Sequence, residues 1–208
     1  MSATAPPRLV ILVLLLLSLV SACAGQVAPV TPPSPSPQPV AATPIAATCG
    51  LAPVVAPTPP AVIPGYTELD PTTNLHVTGT MQVVDLQSYR LRVTGRVENP
   101  LALTFEELRC LPKVTARPAL ICPGYFMDEA TWAGASLEAL LKLAGVQAGA
   151  RSLRMVSADG FANEISLARA TANGSFLAYE WEGQPLPRLH GFPVRTVFPG
   201  EEGNLWVK

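Results

Sequence analysis

The sequence predicts one α+β domain built on a mixed sheet, set behind a long N-terminal extension. Three observations carry that reading. Short runs with strand patterning are interleaved with capped helices, yet keep no strict βαβ rhythm. No charged residue occurs from Leu9 to Thr67, so a domain with an ordinary charged surface begins near Glu68. The length of 208 residues suits one domain of usual size plus extras.

In chain order, the first feature follows Arg8. The run "LVILVLLLLSLV", residues 9 to 20, has the length of a signal-peptide core and is too short to span a bilayer comfortably. It ends in "LVSAC", where the small residues Ser21 and Ala22 before Cys23 resemble a bacterial lipobox. Residues 1–22 therefore read as a lipoprotein signal peptide and Cys23 as a lipidated first residue, which would anchor the chain to a membrane on its extracytoplasmic side. Residues 23–67 read as a disordered tether: prolines from Pro29 to Pro64 favour extended polyproline II and a spacer.

Residues 68–208 form the predicted domain. "YRLRVTGRV", residues 89 to 97, places Leu91, Val93 and Val97 on one face with Arg90, Arg92 and Arg96 off it, a half-buried strand. "ENP" turns the chain. Thr104 with Glu107 three residues later makes a capping box for a helix that Pro112 stops. Residues 115–122 read as a second strand ending at Cys122. Ser136 caps a helix whose Leu137, Leu140, Leu141 and Leu143 form an apolar stripe, with Gly145 as the stop. "RSLRMVSADG" gives a strand and turn, in which Asp159 and Gly160 make the turn. "ISLARATA" reads as a short helix, "FLAYEW" as a strand and "EGQPLP" as a turn. "FPVRTVF" is a strand entered through Pro193, hence an edge or a strand start.

Composition excludes several functions. A net charge of −1 without a basic block argues against nucleic acid. Neither CxxC nor CxxCH occurs, so no thioredoxin-type redox pair and no c-type haem site is encoded. Cys49 falls in the tether, and Cys110 and Cys122 in the domain; in an exported protein a Cys110–Cys122 disulfide is the plain structural alternative.

The stretches "ICPGYFMDEATWAGASLEALL" and "SLARATANGSFLAYEWEGQPLPRLHGFPVRTVFPG" resemble the molybdopterin-binding domain of the sulfite oxidase family, over roughly residues 85–208. That resemblance implies a mixed-sheet sulfite-oxidase-type fold and a molybdenum–molybdopterin cofactor. Cys122 then matches the metal-ligating cysteine, a soft anionic ligand suited to an oxo-transfer centre. Cys110 matches no ligand position and reads as a buried core thiol. His190 and Arg195 match the cofactor-contacting pair; a guanidinium binds phosphate bidentately. Lys208 matches a lysine of the last strand, and His76 a histidine that approaches the pterin from the N-terminal side. Tyr125, just after the cysteine, is a candidate catalytic side chain in the floor of the substrate pocket. Trp132 reads as core.

The departures bear on substrate. Asp128 and Glu129 stand in the loop after Cys122 where sulfite and nitrate enzymes carry cations, and Phe161 stands where sulfite oxidases place a tyrosine. An uncharged S-oxide or N-oxide suits that loop better. The chain stops at "GNLWVK", short of the family's final strand, and reads as truncated. The expectation is an oxygen-atom-transferring enzyme and a monomer, exchanging electrons with a separate carrier, a cytochrome or a quinone-linked membrane subunit. The other reading is a binding module that keeps the fold without a working metal site.

Overall fold

The computed structural model describes residues 49–208. The segments expected to form a signal peptide, a lipidated Cys23 and a tether as far as residue 48 lie outside the described residues. Short strands dominate: β1 (Leu69–Asp70), β2 (Leu75–His76), β3 (Leu91–Val93) and β4 (Leu101–Leu103) precede helix α1 (Phe105–Arg109). Next come β5 (Lys113–Ala116), β6 (Ala119–Cys122), β7 (Phe126–Glu129) and β8 (Trp132–Ser136), then α2 (Leu137–Ala144). The chain continues through β9 (Ser152–Val156), β10 (Ala162–Ser166), α3 (Leu167–Ala170), β11 (Phe176–Trp181), β12 (Gln184–Pro185) and β13 (Arg195–Val197). Among the described residues no helix is long and apolar enough to cross a membrane.

A five-stranded antiparallel sheet organises the fold. β8 lies between β5 and β11, and the far side of β11 pairs with both β12 and β13. Hairpins β1–β2, β3–β4, β6–β7 and β9–β10 surround it. Strand β8, "WAGAS", neither alternates nor carries β-branched residues, so no local pattern marks it as a strand. Its small side chains are what the centre of this sheet requires. A Cβ at Gly134 would stand 1.9 Å from the Leu177 carbonyl oxygen, so β11 can approach only a glycine there.

Helices α1 and α2 start as their caps predict. Thr104 Oγ1 accepts from Glu107 N–H at 3.1 Å while the Glu107 carboxylate accepts from Thr104 N–H at 2.8 Å. Ser136 Oγ accepts from Ala139 N–H at 3.2 Å, and Gly145 ends α2 at φ 66°. The buried stripe of α2 is Leu137, Leu140, Leu141 and Ala144, spaced for one helical face; Leu143 falls off it and is exposed. Ile165 and Ser166, expected in a helix, end strand β10, and α3 begins only at Leu167, with Ser166 as its cap. The strand expected over residues 115–122 is broken by Pro118 into β5 and β6, which join different sheets.

Two cysteine expectations change. Cys110 is not a core thiol: it is disulfide-bonded to Cys49, 61 residues earlier. The alternative Cys110–Cys122 bridge is not formed, and Cys122 is free. The tether's last part, from Cys49, is accordingly a strap on the domain. Arg109 donates to the Ala52 carbonyl at 3.0 Å, Arg188 donates to the Pro57 carbonyl at 2.5 Å, and Val54 packs against the core.

Candidate cofactor and active site

The site starts from hairpin β6–β7. Its register pairs Leu120 with Asp128 and Cys122 with Phe126. Residues opposite one another in a sheet share a face, and alternate pairs take opposite faces. Leu120, Cys122, Phe126 and Asp128 therefore turn inward, whereas Ile121, Met127 and Glu129 turn out and are exposed. Cys122 is a half-buried free thiol on the inner face. The turn closes with Tyr125 N–H donating to the Cys122 carbonyl at 3.0 Å, which leaves the Tyr125 side chain 74% exposed at the tip.

His76 meets that inner face. Its backbone N–H donates to Asp128 Oδ2 at 2.8 Å, and its ring Nδ1 lies 2.6 Å from Asp128 Oδ1. The ring also stacks on Phe126, with centroids 4.3 Å apart and planes 10° from parallel. The His76 ring thus packs on the hairpin face that Cys122 shares. Asp128, expected as an anion of the substrate loop, is instead buried beneath His76.

The second histidine is enclosed. His190 Nε2 lies 2.8 Å from Thr73 Oγ1 and 3.0 Å from Asp70 Oδ2. Burial pushes its pKa down to about 4 even though Asp70 pulls the other way, so the ring is neutral at physiological pH and donates through Nε2. Burial tends to raise the Asp70 carboxyl, but hydrogen bonds from Thr72, His190 and Thr73 outweigh it and leave Asp70 below its ordinary value.

Arg195, on β13, is fully enclosed. Nη1 donates to the His190 carbonyl and Nη2 to the Trp206 carbonyl, both at 3.1 Å. Its guanidinium carbon lies 5.1 Å from the Trp132 ring centroid and 5.8 Å from that of Trp206. Trp132 is thus core, as expected, and an aromatic wall for the cation. Burial lowers the Arg195 pKa to about 10, and nearby Asp128 favours the charge. Lys208 Nζ donates to the Leu189 carbonyl at 2.5 Å and to that of Thr78; burial, helped by Arg195, pushes its pKa down to about 7. Gly191 permits this packing. Its φ is +108°, and a Cβ there would meet Lys208 Cγ at 3.0 Å and Arg195 Cβ at 3.2 Å.

A cavity of about 590 Å³ opens beside these groups. Arg90, Arg92, Arg154, Arg188, Arg195 and Lys208 line it, and no carboxylate does. Arg90 and Arg92, which the strand pattern placed on the polar face of β3, thus serve the cavity. These cations come from segments distant in sequence from the loop after Cys122, which itself carries none. Cys122 and His76 stand outside the cavity lining; Asp128, bonded to His76 and acting on Arg195, links the two regions.

Comparison with known proteins gives the family and the fold. The family model described as "Oxidoreductase molybdopterin binding domain" matches residues 78–208. The chain belongs to that family. This molybdopterin-binding domain is 34% identical over 167 residues to a sulfite oxidase of Arabidopsis thaliana, covering 62% of the chain and 42% of that protein. It is 32% identical over 120 residues to a putative protein-methionine-sulfoxide reductase subunit, YedZ1, of Azospira oryzae, covering 58% and 46%. The sulfane dehydrogenase SoxCD of Paracoccus pantotrophus superposes with a TM-score of 0.62 at 28% identity, over 70% of this chain and 42% of that one. The chain spans about half the length of these relatives or less. The fold is therefore the sulfite-oxidase type, in an oxidoreductase domain.

The donors present fit molybdenum–molybdopterin. Among the described residues no cluster of three or more His, Cys, Asp or Glu could hold a metal by itself, and Cys122 is a free thiol, a soft donor of the kind that would suit a metal bringing its own other ligands. Three buried side-chain donors, Trp181 Nε1, Arg188 Nη1 and Arg195 Nε, have no partner among the described residues, and the last two belong to arginines lining the cavity. An unpaired buried donor costs about 1–3 kcal/mol, a cost that an anionic phosphate relieves.

Sequence reasoning missed Asp70, Thr73 and Arg188 as members of the site. Only the "HGFPVR" context hinted at Arg188, which lies two residues before His190. Phe161 follows the Ser157–Gly160 turn and is half exposed, and Asp159 serves that turn by accepting from Phe161 N–H at 3.0 Å.

Proposed function

We propose that this chain is the molybdenum-bearing part of an extracytoplasmic, membrane-tethered oxidoreductase that transfers an oxygen atom, with an uncharged S-oxide or N-oxide as the favoured substrate. The observation that carries the reading is the free Cys122 thiol on the inner face of its hairpin, sharing that face with His76 through Asp128. When bound, the metal centre supplies the oxygen-transfer chemistry. Cys122 would bind it as thiolate, Arg195 and Lys208 would hold its anionic phosphate, and His76 and His190 would orient its heterocycle. Tyr125, at the rim beside Cys122, offers a hydroxyl to the substrate oxygen.

Two electrons and two protons convert the oxide into the reduced compound and water, and the electrons come from a separate carrier, a cytochrome or quinone-linked subunit. Support for an uncharged substrate comes from the loop after Cys122, which has no cation, and from the sulfoxide-reductase name of one relative. Support for an extracytoplasmic site comes from the lipobox-like "LVSAC" and from the Cys49–Cys110 disulfide, a bond that persists in oxidising compartments.

The test is metal and pterin analysis of the full chain purified from a host that makes and loads the cofactor. The expected result is near one molybdenum and one pterin per chain, with Cys122→Ser losing the metal while its melting temperature stays within a few degrees. A well-folded chain without either component would overturn the reading in favour of a non-catalytic binding module.

A further inference from the structure

Asp128 is the least expected member of the site, since its position suggested an anion facing substrate. Its side chain is only 5% exposed, and both oxygens are engaged by one residue: Oδ2 by His76 N–H and Oδ1 by the His76 ring. An ionised carboxylate only accepts hydrogen bonds, so the proton at this contact sits on Nδ1. Two bonds from one carboxylate fix the imidazole about both its backbone and its ring, and the Phe126 stack fixes its plane. Asp128, Phe126 and Cys122 occupy one face of one hairpin, so the ring is registered against the thiol as well as against β2. His76 Nε2 carries no hydrogen bond to any described residue.

We infer that Asp128 is a positioning residue, holding His76 in the Nδ1–H tautomer and presenting Nε2 and the Cys122 thiol together to the cofactor. What Nε2 faces rests on the proposed function; the tautomer is a property of the chain alone. In the neutral ring Nε2 is an acceptor, so the group it meets is a hydrogen-bond donor. His190 is the internal contrast, because Asp70 and Thr73 engage its Nε2 and leave Nδ1.

These are the chain's only two histidines, which makes the experiment direct. A long-range proton–nitrogen spectrum of the cofactor-free, ¹⁵N-labelled full chain at pH 8 should show one ring protonated at Nδ1 and one at Nε2. His76→Gln removes the first set and so assigns it. In Asp128→Ala the His76 ring should lose its single tautomer while the His190 signals stay. Molybdenum and pterin content from the loading host should fall at least about tenfold, the usual effect of losing an orienting partner. Asp128→Asn, whose amide oxygen still accepts one bond, should recover part of both. A wild-type His76 protonated at Nε2 overturns the inference, as does Asp128→Ala with tautomer and cofactor content unchanged. If Asp128→Ala does not fold, the wild-type spectrum and the Asn variant decide. The expected tautomers in a wild-type chain that takes up no molybdopterin would defeat the proposed function and leave the Asp128–His76 assignment standing.

Discussion

Lys208 titrates at about 7 in the fold against 10.5 for a free side chain, because burial disfavours its charge. Between those values the unfolded chain holds a proton that the folded, cofactor-free chain has released, so stability should rise from pH 7 towards 10. His190 acts in the same direction lower down: its pKa is about 4 against 6.5, so stability is lost as pH falls through that interval. A phosphate beside Lys208 favours its charge, and cofactor binding at pH 8 to 9 should take up a proton and flatten the upper slope. Melting curves of the loaded and cofactor-free chain from pH 4 to 10 check both windows; a cofactor-free melting temperature that drops between pH 7 and 9 contradicts the Lys208 assignment. Arg195→Lys keeps a charge but loses the planar fork that reaches two carbonyls between two indoles. It should cost about 2–3 kcal/mol in denaturant unfolding.

At the level of elements, the glycine of β8 and the cap of α1 give opposite extremes. Gly134→Ala places a methyl group inside the β11 backbone and should leave no soluble folded protein, read by circular dichroism of the expressed chain. Thr104→Ala removes half of a reciprocal cap and should cost only about 1 kcal/mol by urea titration. The same contrast explains what the sequence made legible. Caps, stops and the stripe of α2 are local, so Thr104, Ser136 and Gly145 announced α1 and α2. β8 is held by neighbours on both sides and needs no pattern of its own, so its small residues did not mark it as a strand. In the candidate site, the motifs around Cys122, His190, Arg195 and Lys208 singled these residues out, and a looser match singled out His76. Asp128 as a partner of His76, 52 residues away, was not, nor was Arg188 as the residue that grips the strap. Contacts of that separation leave no periodicity behind.

For the molecule as a whole, the Cys49–Cys110 bond decides where the domain begins. It closes a loop of 61 residues, and on a chain-entropy account such a cross-link contributes up to about 4 kcal/mol by restricting the unfolded chain. Replacing both cysteines with serine should lower unfolding stability by an amount of that order; no change in the denaturant midpoint would show that the strap docks without needing its covalent end. If the chain is anchored by its N-terminus as proposed above, the bond also sets how a pull reaches the domain. Any pull arriving along the proline-rich segment leaves the backbone at Cys49, crosses the sulfur bridge and enters the domain at Cys110, at the end of α1. Residues 50–109 lie outside that line of force. Among them are Asp70 and Thr73, which hold His190, and His76 itself, so such tension would bypass hairpin β1–β2, whereas Asp128, the partner of His76, lies beyond Cys110.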